Sequence, residues 1–189
     1  KTTLFNIISG MLGPSGGKVS IFGADVTNLP PHRRVALGLG RTFQITNLFS
    51  KLTVMENLLL SLKALDVTRQ RFLTPLTSYK HLCARAESLM DQSGMWEKQH
   101  VTVCSLAYGE QRRVEILMAL AQEPRLILLD EFSSGLSQEE TTSMTSMLKS
   151  LSRDITLLLI EHDMDVAFEL ADRFTFLHLG RVFAEGSRD

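Results

Sequence analysis

The sequence predicts an α/β fold whose mostly parallel core sheet is interrupted by a long helical stretch. Two short, continuous apolar runs, at 125–130 and 154–161, are typical of parallel strands that are buried on both faces. A helical pattern at 138–151 lies between them, so the three segments predict a β–α–β unit. Helical periodicity also dominates from residue 53 to about residue 122.

The chain is long enough for one domain with a sizeable core, because it has 189 residues, of which 44% are hydrophobic. We expect a single domain over 1–189. In this domain an α/β core at 1–52 and 123–189 carries a helical subdomain at 53–122. The sequence contains no internal repeat or low-complexity tract that would favour another architecture.

Local patterns predict the remaining elements. Alternation over 18–26 predicts a short antiparallel β-piece after a turn at 14–17, and 173–185 predicts a hairpin with Gly180 at its turn. Apolar residues at helical spacing predict the other helices, which lie at 2–11, from Pro30 onwards, at 54–65, at 80–90, at 111–121 and at 164–172.

Composition excludes several classes of protein. The formal net charge is −1, so no bulk field recruits nucleic acid or an anionic membrane. No apolar run approaches the ~20 residues that a membrane-spanning helix needs. Cys83 and Cys104 lack neighbours at metal-ligand spacing, so we expect two free thiols in a reducing compartment.

The two apolar strands end in polar groups, Asp130-Glu131 and Glu161-His162-Asp163. Parallel sheets bind ligands at the carboxyl ends of their strands. An Asp-Glu pair at that edge suits a magnesium nucleotide site, where one carboxylate holds the metal and the next positions the attacking water. The alternative is a pair of carboxylates where a strand meets solvent.

The first residues, Lys1-Thr2-Thr3, correspond to the end of a phosphate-binding loop, G-x-x-x-x-G-K-[ST], at the start of a helix. The motif becomes specific because four more segments come after it in order: Arg41-Thr-Phe-Gln44, Leu106-Ala-Tyr-Gly-Glu-Gln111, Asp130-Glu131 and His162. This set resembles the ATP-binding cassette (ABC) ATPases, which are P-loop NTPases. More narrowly, it resembles the ATP-binding subunit of branched-chain amino acid transporters.

The resemblance implies a role for each matching residue. Lys1, Thr2 and Thr3 would contact phosphate and magnesium, and Gln44 would sense magnesium and the attacking water. Asp130 matches the magnesium carboxylate. Glu131 matches the residue that polarises water for attack on the γ-phosphate, and His162 matches the histidine that hydrogen-bonds that phosphate.

The segment 106–111 resembles the family signature, whose helix points its amides at the nucleotide of a partner subunit. This assigns Ala107, Tyr108, Gly109 and Glu110 to cofactor binding. Ala107 stands where the family usually has a serine that contacts phosphate, and Phe132 replaces the proline usual after the Asp-Glu pair. These departures put turnover in doubt more than fold.

The resemblance therefore implies an ATP-hydrolysing subunit of an importer of branched-chain amino acids, with ATP and Mg²⁺ as its ligands. It would pair with a second cassette and with transmembrane permease subunits, and would serve a periplasmic solute-binding protein indirectly. Its place would be peripheral, on the cytoplasmic face of the inner membrane, and it would bind no nucleic acid. Two alternatives remain open: a soluble cassette that acts on ribosomes or DNA, and a catalytically impaired scaffold.

The chain starts at Lys1 instead of Met, inside the phosphate-loop motif. We expect a sequence truncated at both ends. Without the glycine part of the loop, the chain as written would lose several amide contacts to phosphate, each worth about 1.5–3 kcal/mol. Such a chain would not bind or hydrolyse ATP measurably.

Overall fold

The computed structural model describes residues 1–42, 48–71 and 73–187. Seven α-helices run through these residues: α1 Thr2–Ser9, α2 Pro31–Ala36, α3 Val54–Leu65, α4 Lys80–Gln92, α5 Tyr108–Leu120, α6 Gln138–Lys149 and α7 Met164–Leu170. Seven strands accompany them: β1 Ser20–Ile21, β2 Ala24–Asp25, β3 Leu39–Arg41, β4 Leu126–Asp130, β5 Thr156–Ile160, β6 Arg173–His178 and β7 Arg181–Ser187.

The central sheet is parallel, with the strand order β3-β4-β5. Its middle strand, β4, has Ile127, Leu128 and Leu129 fully buried, because both faces of the strand are covered. The register pairs Asp130 of β4 with Ile160 of β5. The polar residues that come after these two strands therefore lie at the same edge of the sheet.

Two features of this sheet differ from the sequence-based prediction. The short strand β3 is not predicted, because three residues are too few to show a period; β3 exists through its pairing with β4. The apolar run of β5 predicts burial on both faces, but Thr156 and Leu158 are exposed. The reason is position: β5 is an edge strand among the described residues, and only Leu157, Leu159 and Ile160 pack into hydrophobic clusters.

Two antiparallel pairs lie outside the parallel sheet, as predicted. β1 pairs with β2, and β6 pairs with β7 through a turn at Leu179 and Gly180, both of which have positive φ angles. That backbone is typical of a two-residue hairpin turn. The β6–β7 hairpin is largely exposed. Among the described residues, no helix is both long enough and apolar enough to cross a membrane.

The helices between β3 and β4 begin at a well-formed cap. Thr53 and Glu56 form a reciprocal capping box at the start of α3, and the Asn57 side chain bonds both backbone groups of Phe49. One hydrophobic cluster then runs from α3, α4 and α5 into β4, α6 and α7. The predicted helical stretch therefore shares a continuous core with β4, α6 and α7, whereas α1, β1 and β3 pack in a second cluster.

Helix α1 ends two residues before its predicted end because Gly10 adopts a left-handed conformation, with φ +81°. Arg34 then closes the carboxyl end of α1. Arg34 is 1% exposed. Its guanidinium donates hydrogen bonds of 2.7–3.1 Å to four backbone carbonyls, those of Ile7, Ile8, Thr27 and Leu29. A cation at this end of a helix also complements the helix dipole.

We expect Arg34→Met to lower the free energy of unfolding of the complete gene product by at least about 3 kcal/mol, since several bonds to a charged donor are lost together. Urea unfolding followed by circular dichroism measures the change. Arg33→Met is the matched control, because Arg33 is exposed on the same helix. An equal loss in both variants would contradict the capping role of Arg34.

Candidate functional site

The Asp130 carboxylate lies at the carboxyl end of β4 and is deeply buried. The residue is 1% exposed, and neither carboxylate oxygen has a hydrogen-bond partner among the described residues. Burial raises the pKa of this carboxyl above its usual range, and the charge of Glu131 raises it further, while Arg41 and Arg112 oppose the shift. A buried carboxylate with free lone pairs suits a hard cation or a donor from a ligand.

Glu131 comes next and turns the chain sharply. Its φ of +48° lies in the left-handed region, which non-glycine residues rarely adopt. Its backbone N–H donates to the carbonyl oxygen of Ile160 at 2.8 Å, so the turn is tied to the end of β5. Oε1 of the Glu131 carboxylate contacts Nε2 of His162. The structure thus brings together two of the predicted site residues, Glu131 and His162.

Two further carboxylates come after β5, and they do different things. The Glu161 carboxylate accepts hydrogen bonds from Ser133, from Oγ at 2.8 Å and from the backbone N–H at 3.3 Å. Asp163 is the N-cap of α7, where its side chain accepts from the N–H groups of Asp165 and Val166. Ser133 and Glu161 are not among the predicted site residues, because a hydroxyl two residues after Glu131 is only a weak signal in the sequence.

The amino end of α1 lies near Asp130. Lys1, Thr2 and Thr3 are exposed, and a positive charge at this end of the helix lies close enough to act on the Asp130 carboxylate. Arg41, at the end of β3, holds α1 to the sheet through hydrogen bonds to Asn6 and Ser9. An anion near Asp130 would therefore meet the positive end of a helix dipole.

Gln44 lies outside the described residues. The description stops at Thr42, whose backbone N–H donates to the carbonyl oxygen of Leu128 at 3.0 Å, and resumes at Leu48. Thr42 itself therefore lies beside β4. No contact of Gln44 itself is assigned.

The segment that carries Ala107, Tyr108, Gly109 and Glu110 begins α5, three residues earlier than predicted. The reason is a cap: the Glu110 carboxylate accepts from the Ala107 N–H at 3.0 Å and also pairs with Lys98. Ala107 has no hydroxyl to return the bond, so only half of a capping box forms. Within the described chain, no hydrogen bond or ion pair joins these four residues to Asp130, Glu131 or His162.

Gly109 is held in a close approach to α6. A Cβ atom added at Gly109 would clash with Oε1 of Glu140, and Glu140 caps α6 together with Ser137. The Tyr108 ring packs over Gly135, whose φ is +80°. The loop after Asp130 and Glu131 is therefore packed against the start of α5, which places both segments on one side of the molecule.

The donor set fits Mg²⁺. The described residues hold no group of three or more His, Cys, Asp or Glu side chains that could bind a metal by itself. Magnesium usually takes one or two carboxylates and completes its shell with water and substrate phosphates. The buried Asp130 carboxylate beside a helix amino end matches that pattern, whereas an all-protein metal cage does not.

The family model described as ABC transporter matches residues 1–134. The chain is 32% identical to the high-affinity branched-chain amino acid transport ATP-binding protein BraF of Pseudomonas aeruginosa, over 99% of the chain and 76% of that protein. The corresponding protein LivG of Escherichia coli K12 is also 32% identical, with the same coverage. A methionine import ATP-binding protein, MetN of Rhodopseudomonas palustris BisA53, is 35% identical over 99% of the chain but 49% of its own length.

Solved structures agree with these relatives. MJ1267, an ATP-binding cassette of an ABC transporter, superimposes with a TM-score of 0.87 at 26% identity, over 99% of the chain and 76% of that structure. The cassette MJ0796, in a dimeric post-hydrolysis state bound to ADP and Pi, superimposes with a TM-score of 0.83 at 26% identity, over 100% of the chain and 80% of that structure.

Proposed function

The chain belongs to the ABC transporter family, as an ATPase subunit of a transporter, and from this premise we propose that it powers the import of branched-chain amino acids. The observation that supports the substrate class is the 32% identity to BraF and LivG over nearly the whole chain. The predicted α/β P-loop fold is confirmed by the solved cassettes. The site geometry is compatible with ATP hydrolysis.

Hydrolysis requires a base beside the attacking water. We assign this role to Glu131: its carboxylate accepts a proton as the water oxygen forms a bond to the γ-phosphorus and the bond to the bridging oxygen of ADP breaks. His162, in contact with Glu131, would donate a hydrogen bond to the γ-phosphate and stabilise charge that develops there.

Nucleotide binding would fall to the amino end of α1, with Lys1 on phosphate oxygens and the backbone N–H groups of Thr2 and Thr3 facing the anion. Asp130 and the Thr2 hydroxyl would hold Mg²⁺, and Gln44 would approach it from outside the described residues. The ion, when bound, neutralises charge on the phosphate oxygens. The burial of the Asp130 oxygens, without a hydrogen-bond partner in the described chain, supports this assignment.

Within the described chain, the 107–110 segment makes no hydrogen bond or ion pair with Asp130, Glu131 or His162, which is compatible with a role across a dimer interface. We propose that Ala107, Tyr108, Gly109 and Glu110 contact the nucleotide held by a second cassette, and that ATP binding closes the dimer. The dimeric state of MJ0796 supports this arrangement. Residues 53–122 would act as the helical subdomain that transmits closure to permease subunits, on the cytoplasmic face of the membrane, while a periplasmic binding protein delivers the substrate.

The two departures from the family pattern differ in consequence. Phe132 is 2% exposed and packs in the main hydrophobic cluster, so the loop accommodates it without loss of core. Ala107 removes a hydroxyl that would bond phosphate, a loss of about 1.5–3 kcal/mol in the closed dimer. We therefore propose an active cassette with weakened closure, in preference to an inert scaffold.

Import of methionine is a second candidate, favoured by the 35% identity to MetN. The test is a deletion of the gene in its native organism, followed by uptake of radiolabelled leucine, valine and methionine. We expect leucine and valine uptake to fall while methionine uptake stays unchanged, and a wild-type copy, but not a Glu131→Gln copy, to restore transport. Loss of methionine uptake alone would favour the second candidate, and unchanged uptake of all three would overturn both.

A further inference from the structure

A hydrogen-bonded bridge between Glu161 and Ser133 joins the loops that carry Glu131 and His162. Glu161 immediately precedes His162, and its carboxylate crosses to Ser133, two residues beyond Glu131. Both donors of Ser133, the Oγ hydroxyl at 2.8 Å and the N–H at 3.3 Å, converge on this one side chain. The bridge therefore fixes the second loop relative to the first by two bonds at once.

Two other contacts join the same two loops, one on either side of the Glu161–Ser133 bridge. On one side, the Glu131 N–H donates to the Ile160 carbonyl at 2.8 Å, and on the other the Glu131 carboxylate contacts His162. Three successive residues, Ile160, Glu161 and His162, thus each engage the turn after β4. The Glu131 turn needs such support, because its φ of +48° is a strained conformation that persists only where its surroundings hold it.

Burying the Glu161 carboxylate costs free energy, so its position is not explained by the role of an ordinary surface carboxylate. Burial raises the pKa of Glu161 above its usual range, and the hydrogen bonds from Ser133 oppose that shift. No described cation pairs with the Glu161 carboxylate. By contrast, Asp163, next along the chain, uses its side chain to cap α7.

We propose that Glu161 is a positioning residue for ATP hydrolysis. Through its hydrogen bonds to Ser133, it keeps the side chains of His162 and Glu131 in their relative positions. The proposal rests on the hydrolytic function proposed above. Glu161 touches no reacting atom, so its loss affects the rate of the chemical step and leaves nucleotide binding at α1 nearly intact. A displacement of the pair by about 1 Å is enough to slow a positioned reaction strongly.

The kinetic test uses the purified complete gene product. We expect Glu161→Ala and Ser133→Ala each to lower kcat for ATP hydrolysis about tenfold, with KM for ATP changed less than about twofold, whereas Ser133→Thr keeps the hydroxyl and the rate. Glu169→Ala, which removes an exposed partner of Lys149, is the control for loss of a carboxylate and leaves kcat unchanged. An unchanged kcat in Glu161→Ala would overturn the proposal.

A background substitution separates positioning from a general structural role. In a His162→Ala protein, adding Glu161→Ala should lower the residual rate by a smaller factor than it does in the wild type, because the alignment of His162 with Glu131 is already lost. A structural role predicts the same fractional loss in both backgrounds, and that result would overturn the proposal.

An ATP-independent measurement keeps the proposal distinct from the function on which it rests. Glu161→Ala should speed amide hydrogen exchange in 131–136 in the absence of nucleotide, with no change in α4. If the wild-type protein hydrolysed no ATP, the proposed function would fail, and with it the catalytic consequence of the bridge. Unchanged exchange in 131–136 would refute the bridge itself, whatever the hydrolysis assay shows.

Discussion

Glu131→Gln is expected to lower kcat for ATP hydrolysis by about 10²–10⁴, because an amide cannot accept the proton of the attacking water. Gln is almost the same size, so the left-handed turn and the contact with His162 can remain. Binding of ATP is not expected to weaken. The protein should therefore accumulate as an ATP-bound dimer, which gel filtration with Mg-ATP detects.

The control for this prediction is Glu139→Gln, which removes an exposed carboxylate from the first turn of α6. It should hydrolyse ATP at the wild-type rate and return to the nucleotide-free state. Unchanged steady-state turnover in Glu131→Gln would show that another group is the base, and the assignment would be wrong.

Asp130→Asn is expected to abolish magnesium-dependent ATP hydrolysis and, at the same time, to stabilise the nucleotide-free protein. The wild-type carboxylate is buried, and neither of its oxygens has a hydrogen-bond partner among the described residues, which costs folding free energy. Replacing the charge with an amide should recover about 1 kcal/mol, or roughly 2–4 °C in the midpoint of thermal unfolding for a domain of this size.

The stabilisation should depend on pH in a defined direction. Burial raises the pKa of Asp130 above its ordinary value of 3.8. Below pH 3.8 the carboxyl is protonated in both the folded and the unfolded protein, so the stability contributed by the neutral group is fully present. As the pH rises through the raised pKa, the folded protein acquires a buried charge and this stability is lost. The gain from Asn is therefore largest at neutral pH and disappears below pH 3.8. Asp172→Asn, at an exposed carboxylate, is the control for the loss of a carboxylate charge and should leave the midpoint at neutral pH unchanged. A lower midpoint at neutral pH, or retained magnesium-dependent turnover, would contradict the prediction.

Much of the fold was predictable because its elements have strong local signals. The apolar run that ends at Asp130 is typical of a buried strand, and Thr53 followed by Glu56 is typical of the start of a helix. β3 has no such signal: Leu39, Gly40 and Arg41 become a strand only because β4 lies beside them. The exposed face of β5 was missed for a similar reason, since an apolar run does not say which strand lies at the edge.

The same distinction applies to the candidate site, where some contacts could be predicted from the sequence and others could not. Glu131 and His162 could be expected to meet, because the carboxyl ends of neighbouring parallel strands converge. Their catalytic roles remain predictions. The Glu161–Ser133 bridge and the Arg34 cap could not be foreseen, since each joins a side chain to groups that no periodic pattern brings together. Such contacts depend on the folded backbone, and a single sequence carries little information about them.

The close approach of Gly109 to Glu140 couples the effects of substitutions at the two positions. Any side chain at position 109 would occupy the space of the Glu140 carboxylate and would displace the group that caps α6. Because that carboxylate is the end of a flexible side chain, it can move to another rotamer, and the change at 109 then removes its reciprocal cap with Ser137. A side chain at 109 should therefore cost less stability when position 140 already carries a smaller residue, so the effects of the two substitutions are not expected to add.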